Sequence, residues 1–511
     1  MNKQRKYCRF FLSGPFIALL LLCNSGFAQQ SNVMYFMKGV PQINSINPAA
    51  QASYGFYLGT PGMAPFTFDF QNNPLRFHDL IFYNKAIDSV ITFLHPTADK
   101  RKFLSLLGSN NFIGTDISTG LFSMGFRINT MFFSIGITEK EYLRLNYPKD
   151  IFTFPMYGLL DNSLNPSNLD LSGIGVNAAL YTEIALGVSK EINDLITVGV
   201  RGKVLLGQAN LYMKTTDIGI NTTDSLWRFH SKLDLNTSIP FLEIPKGTDG
   251  KYDISKAGLQ KNITTSDILD AFLRKPNMGL AVDLGVIVKP FNWLTVSASV
   301  VDLGSIKWSH YAYGLKQDTT TTFRGVDMTG IIKGDTTNIG KMLTDSVFSA
   351  FKKFTVKPGS YTTYLPTKIY VGATFNLWSD RISFGVLSMT EIYLKTVKQS
   401  FSISANIQPI RMISTTFSYS LLDNTYHDFG FGLALKLGPF NSYYIFDYIP
   451  TTYDKLVTGE NFPKGIPLIG GKPININAPV YMRAFSMKIG FNLVFGGNRK
   501  KKALQDVPLI E

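Results

Sequence analysis

The chain has 511 residues, 45% hydrophobic and 13% aromatic but only 17% charged, with 40 Phe, 24 Tyr and 43 Gly. Its 50 basic and 36 acidic residues are spread along the sequence and form no basic stripe, so nucleic acid is excluded as a partner. The two cysteines, Cys8 and Cys23, both lie in the first 28 residues, so beyond that point neither a disulfide framework nor a cysteine metal site can be built.

The first residues read as a Sec-type export signal. Lys3, Arg5, Lys6 and Arg9 form the positive region, Phe16 to Leu22 the apolar core, and Gly26-Phe27-Ala28 a small-x-small cleavage site. The apolar run falls short of the roughly 20 residues that a membrane-spanning helix needs. Cleavage after Ala28 predicts a cysteine-free mature chain with 46 basic and 36 acidic residues. Residues 29–62 follow as a mixed segment. Asn47 is a good helix N-cap, Pro48 suits the first helical position, and Ala49-Ala50 continue it, which predicts one helical turn. The next residues, "SYGFYLG", alternate like a strand.

From there, period-2 alternation recurs in segments of about ten residues, the length of a tilted transmembrane β-strand. In "KIYVGATFNLW", Ile369, Val371, Ala373, Phe375 and Leu377 share one face, and Lys368, Tyr370, Gly372, Thr374 and Asn376 the other. "FSMKIGFNLVF" and "DFGFGLALKL" repeat the pattern. A β-sandwich also alternates, but with shorter strands and its charges turned to water. One wholly apolar face opposite a small, polar or charged face predicts an all-β transmembrane antiparallel barrel. Strands are expected at 64–71, 116–127, 131–140, 173–190, 195–214, 279–289, 293–305, 367–378, 381–394, 398–407, 411–422, 427–437, 440–448 and 482–495. Short Asn-, Asp- or Pro-containing turns follow every second strand. Long irregular stretches lie near 72–114, 142–169, 217–278, 308–364 and 449–480, with small helices at Leu75–Leu94 and Ser266–Leu273 and a solvated tip at Asp318–Thr322. Even parity with both ends on the turn side puts "SYGFYLG" outside the wall. The expected organisation is signal peptide 1–28, plug or hatch 29–62, barrel 63–496 and basic periplasmic tail 497–511.

An Asn-Pro-Ala motif between an export signal and a fourteen-strand barrel resembles the FadL-type (long-chain fatty acid transporter) superfamily. There the motif lies in a hatch that plugs the lumen, and Asn47, Pro48 and Ala49 stand at the matching positions. The runs "NVMYFMKGVPQINSINPAAQ" and "ALGVSKEINDLITVGVRGKVLLG" also resemble a family of uncharacterised outer-membrane proteins from Bacteroidota. These resemblances imply a Gram-negative outer-membrane barrel, embedded in outer-membrane lipid, that binds or passes a hydrophobic small molecule such as a fatty acid. The alternative they imply is a non-transporting barrel that anchors or shuttles periplasmic or surface protein partners, as in type IX secretion.

The residues that bear on chemistry are the ionisable ones on inward faces: Arg127, Glu183, Arg201, Lys203, Asp283, Lys368, Asp428, Lys436 and Lys488. Lone charges in a closed lumen are costly, so they are expected to pair across it or to form a selectivity ring or carboxylate-binding patch. His78, His95, His230, His310 and His427 are far apart, and no metal-ligand spacing, nucleophile elbow or phosphate-binding glycine loop occurs. The sequence therefore predicts no enzyme, no metal and no cofactor.

Overall fold

The computed structural model describes residues 32–496 except 158–167, 324–353, 458–475 and breaks of one to five residues at 38, 64, 74, 85, 88, 109–110, 223–225, 247–251, 253, 261, 272–275, 378–380, 394–395, 423–424 and 481. The export signal and the basic tail lie outside the described residues.

The alternating segments hydrogen-bond to their sequence neighbours as one antiparallel ring. The first wall strand is in two pieces, β1a (Phe56–Gly59) and β1b (Phe66–Asn73). Next come β2 (Asn111–Ile128), β3 (Met131–Tyr147), β4 (Gly175–Glu191), β5 (Ile196–Thr222), β6 (Asn277–Phe291) and β7 (Leu294–Trp308). The second half comprises β8 (Thr367–Leu377), β9 (Ile382–Tyr393), β10 (Thr396–Ile410), β11 (Ile413–Leu422), β12 (Thr425–Leu437), β13 (Phe440–Ile449) and β14 (Ala484–Phe495). Both pieces of β1 pair with β14 on one side and β2 on the other, which closes the barrel at fourteen strands. Closure is what an apolar exterior demands, because lipid offers no partner to a backbone N–H or C=O.

The placement of "SYGFYLG" is corrected. Phe56 to Gly59 stand in the wall, Phe56 opposite Phe495 on β14 and Phe126 on β2. The parity holds because this piece and β1b share one position in the ring. Between them the chain leaves the wall over residues 60–65, where β2 carries a bulge between Gly120 and Phe122. Only Gly120 N–H donating to Pro65 O (2.7 Å) and Phe491 N–H donating to Met63 O (2.7 Å) link the wall to this excursion among the described residues.

The two faces sort as the alternation predicts. Leu186, Leu280, Ile403 and Phe417 are exposed outward, whereas Tyr370, Ser404, Thr416 and Asn492 are buried inward. Aromatic rings collect outside at the turn end, where Phe291 stacks on Trp293 at 5.3 Å and Trp293 on Phe375 at 6.2 Å. Such rows of rings suit a membrane–water boundary. Tight turns at this end use residues that tolerate positive φ, Asn129 (54°) and Gly438 (63°).

At the opposite end the wall runs far past a bilayer. The outer half of β5 pairs with Trp227–Ser238, and that strand pairs with Ala312–Phe323. The expected irregular stretches 217–278 and 308–364 are therefore partly strand, and Asp318–Thr322 is paired rather than a loop tip. Leu75–Leu94 is likewise no single helix: a turn at Phe77–Leu80 leads into a hairpin, Ile81–Asn84 with Ser89–Thr92.

Leu186 is 62% exposed, five residues from the β4–β5 turn. Leu186→Arg would place a charge at mid-depth of an apolar belt. The expected cost is about 2–4 kcal/mol, read as a lower urea midpoint for the barrel folded in lipid vesicles.

Candidate functional site

The turn-side half of the lumen is filled by the chain ahead of β1. It begins with the short helix α1 (Asn32–Phe36) and a 3-10 turn at Pro41–Ser45. Val33, Met34, Phe36, Met37, Val40, Ile43 and Ile46 pack with Tyr370, Leu387, Met389, Tyr443 and Ile445 of the wall. Wall strands accommodate this plug by carrying glycine where it touches them. Gly199 on β5 lies directly opposite Gly285 on β6. A Cβ at Gly199 would stand 2.2 Å from the Pro48 carbonyl oxygen, and one at Gly285 2.2 Å from Asn47 Oδ1. Gly430 and Gly432 on β12 leave room for Val33 in the same way.

Polar contacts tie the plug around its perimeter. Tyr35 OH meets Ser297 Oγ at 2.8 Å, Ser299 Oγ donates to Ile46 O at 2.8 Å, and Gln42 exchanges hydrogen bonds with Asn492. Val33 N–H donates to Asp447 Oδ1 at 3.2 Å. Each bond of this kind stabilises by about 0.5–1.5 kcal/mol, so the set holds the plug firmly.

Asn47, Pro48 and Ala49 sit at the bottom of this packing, with Asn47 and Ala49 almost fully buried. The one turn expected here is present and goes no further. Asn47 Oδ1 accepts from Ala49 N–H at 3.0 Å and Asn47 O from Ala50 N–H at 2.8 Å. Helix cannot continue because the wall captures the next residues: Gln51 donates to Thr130 O and also binds Arg127, whose other guanidinium nitrogen donates to Ala52 O at 2.9 Å.

The inward charges divide into groups. Arg127 serves the plug and also meets Glu191 at 3.4 Å. Lys436 lies 4.7 Å over the Tyr54 ring, and Lys488 Nζ sits 3.2 Å from Met34 Sδ, so both face the plug as well. Asp428 lies half-buried near the loop end of β12. Glu183, Arg201, Lys203 and Asp283 are brought together above the plug. Lys203 Nζ is 2.7 Å from Asp283, 2.6 Å from Asp302 and 3.5 Å from Glu183. Arg201 adds Glu183 at 3.4 Å and Asp283 at 3.8 Å, and Lys140 adds Glu183 at 2.6 Å and Asp302 at 3.4 Å. Three cations thus meet three carboxylates, and a buried network of this kind is tolerable because it is neutral.

Sequence reasoning missed Asp302. Its parity on β7 points outward with Val296, Ala298 and Val300, but a bulge with Asp302 at φ 61° turns it in and puts Leu303 outside. The signal was present, since an acid inside "SVVDLG" has no tolerable place on a lipid face. Asp69, inward by simple alternation on β1b, was readable and not singled out.

Between plug and ionic cluster lies a cavity of about 180 Å³. Asp69, Tyr181, Arg201, Lys203, Lys368 and Lys488 contribute to its lining, and it extends to Pro65 and Gly120 at the interrupted strand. Lys368 is 8% exposed and has no carboxylate within 4 Å among the described residues. Asp302, Glu391 and Asp69 act on it from farther away.

Gly199→Val and Gly285→Val put a branched side chain where the Asn47–Ala49 backbone sits. The expected result is an intact barrel with a displaced plug, read as proteolysis between residues 32 and 55 accelerated about tenfold or more. An unchanged cleavage pattern in a folded variant would show that these glycines do not seat the plug.

No curated protein matches the sequence. Among solved structures, the chain is similar to a Pseudomonas aeruginosa FadL homologue (11% identity, 92% of this chain and 100% of the other, TM-score 0.38). It is also similar to the CymD monoaromatic hydrocarbon channel (8%, 92% and 100%, TM-score 0.40) and to the Ralstonia pickettii toluene transporter TbuX (7%, 93% and 96%, TM-score 0.36). Residues 48–447, running from Pro48 in the plug to Asp447 on β13, match the family of unknown function DUF5723, and the chain belongs to that family.

Proposed function

We propose that this protein is an outer-membrane barrel that holds the polar end of a small amphipathic molecule, such as a fatty acid, in its lumen and passes that molecule when the plug shifts. The membrane assignment rests on the closed ring, the apolar exterior and the aromatic rows at the turn end. In this reading the plug and short turns face the periplasm and the long strands face out.

The observation that carries the binding function is the cavity beside the plug. It presents Lys368 to its interior and reaches the wall where residues 60–65 interrupt β1. An acidic head group would meet Lys368, and its apolar body would leave toward lipid through the interruption. At about 180 Å³ the cavity is smaller than the roughly 300–1,000 Å³ of ordinary small-molecule sites. It fits a head group, so a whole lipid requires the plug to move. The lining mixes charged side chains such as Lys368 and Asp69 with apolar ones such as Met34, Ile46 and Val301, which suits an amphipathic occupant better than a purely hydrocarbon one.

A second reading, a barrel that anchors protein partners at the cell surface, is favoured by one observation. The lumen is filled by a plug hydrogen-bonded to many strands, as a purely structural core would be.

Mass spectrometry of the protein purified in detergent distinguishes the two. The first reading expects a co-purifying acidic lipid at near-equimolar amount, with affinity reduced about tenfold to a hundredfold in Lys368→Met, since losing a charge-assisted contact costs about 1.5–3 kcal/mol. A stoichiometric protein partner with no bound lipid would establish the second.

A further inference from the structure

The lumen is also crossed on the loop side of the cavity. Arg144 on β3 reaches Glu391 on β9, with Nη1 2.9 Å from Oε1, and holds Asp116 on β2 through Nη2 at 3.0 Å. From β10, Lys398 reaches back to Gln71 Oε1 on β1b at 3.3 Å and lies 3.7 Å from the centroid of the Phe112 ring on β2. β3 and β9 are six strands apart in the ring, so these contacts join opposite walls. Beside the Arg144–Glu391 pair, Tyr142, two residues toward the turns from Arg144, and Tyr393, two residues toward the loops from Glu391, meet edge to face at 6.0 Å. Both belong to a packed cluster with Leu205, Ile306, Trp308 and Leu365, which fills the other side of the lumen at this level.

Geometry shows how far the wall is drawn in. A circular ring of fourteen strands about 4.8 Å apart and tilted about 40° is roughly 28 Å across. An arginine and a glutamate reaching for each other bridge only about 15 Å between Cα atoms. The barrel is therefore pinched at the Arg144–Glu391 level.

We propose that this crossbar is a second closure of the lumen, in series with the plug, so that the cavity is shut toward the loop side as well as toward the turns. Arg144, Glu391 and Lys398 are almost fully buried, and Asp116, which Arg144 holds, lines the cavity together with Tyr142, so the crossbar stands across the loop side of the space whose floor is the plug. The closure is built to open. Arg144 Nε and Glu391 Oε2 are buried and have no hydrogen-bond partner among the described residues. An ion pair repays its desolvation in full only when its remaining donors and acceptors are also satisfied, so water entering here gains partners that it would not find at a fully satisfied pair. Wetting the crossbar satisfies both atoms, lets the walls part and connects the cavity to the outside without disturbing the plug.

Chemical accessibility tests this without reference to any ligand. Ser118 lines the cavity and takes a single cysteine, with Cys8 and Cys23 changed to Ser. The full chain, purified from membranes, is treated with a charged methanethiosulfonate, and barrel integrity is checked by heat-modifiable gel mobility. Ser118→Cys in the otherwise native chain should label slowly. Arg144→Met should raise the rate about tenfold or more, Glu391→Gln likewise, and Arg144→Lys less, because it keeps the charge. Glu391→Gln preserves the shape and serves if Arg144→Met does not fold. Fast labelling in the native background would overturn the proposal by showing an open mouth. Slow labelling in folded Arg144→Met or Glu391→Gln would overturn it by showing that the pair staples the wall without closing a path.

Discussion

Everything in this molecule follows from the backbone having to satisfy its own hydrogen bonds where no water is present. Fourteen strands meet that demand by closing on themselves, β14 against β1. The exception is instructive. At residues 60–65 the wall strand is absent, yet the excursion still returns carbonyls from Met63 and Pro65 to Phe491 and Gly120. The segment also contains Pro61 and Pro65, which have no N–H to satisfy. A gap in the wall is tolerable here because its sequence removes donors and its geometry supplies acceptors.

Closing so many strands creates a second problem, a lumen too wide for the wall's own side chains to fill. The plug occupies the turn-side half, packing on wall side chains such as Tyr370, Met389 and Ile445, and it fits because the inner face carries glycine at the closest approaches. The paired Gly199 and Gly285 let backbone approach backbone at Pro48. Above it, volume is taken by long ionic side chains. Lys203 touches three carboxylates, so removing it would leave several buried acids undercompensated, and the network stands or falls together. Apolar side chains with glycine clearances for the plug, and long charged ones for the space above it, are two answers to one packing requirement.

That division explains what the sequence could disclose. A lipid-facing strand writes its two faces into alternate residues, so every wall strand was legible, as were inward Glu183, Arg201, Lys203 and Asp283. Its ends were not, because strands such as β5 continue into water where alternation no longer separates lipid from lumen. Asp302 was hidden by a one-residue bulge that inverts parity. "SYGFYLG" was misplaced because strand counting treats an interrupted strand as two. Arg144 and Glu391 were beyond reach for a different reason. They are separated by 247 residues, and neither alternation nor local propensity records which opposite walls a closed ring brings face to face.

The plug and the cavity share residues, which constrains how any occupant can act. Met34, Gln42, Asn44 and Ile46 belong to the plug and also line the cavity. A molecule bound there touches the plug directly, so its binding energy differs between the seated and displaced states without a relay through the wall. Only such a difference can shift the plug's population, and tight binding that ignored the plug would shift nothing. The neutrality of the ionic cluster adds a second condition. An anion entering beside Lys368 does not find a vacant positive field, because Lys140, Arg201 and Lys203 are already matched by Glu183, Asp283 and Asp302. Its gain must come from Lys368 and Lys488, which line the cavity outside that matched cluster, and from the polar surface that the plug would otherwise cover. Binding and plug displacement are therefore coupled by the same atoms, and a change in either the glycine seat or the cavity lining should alter both together.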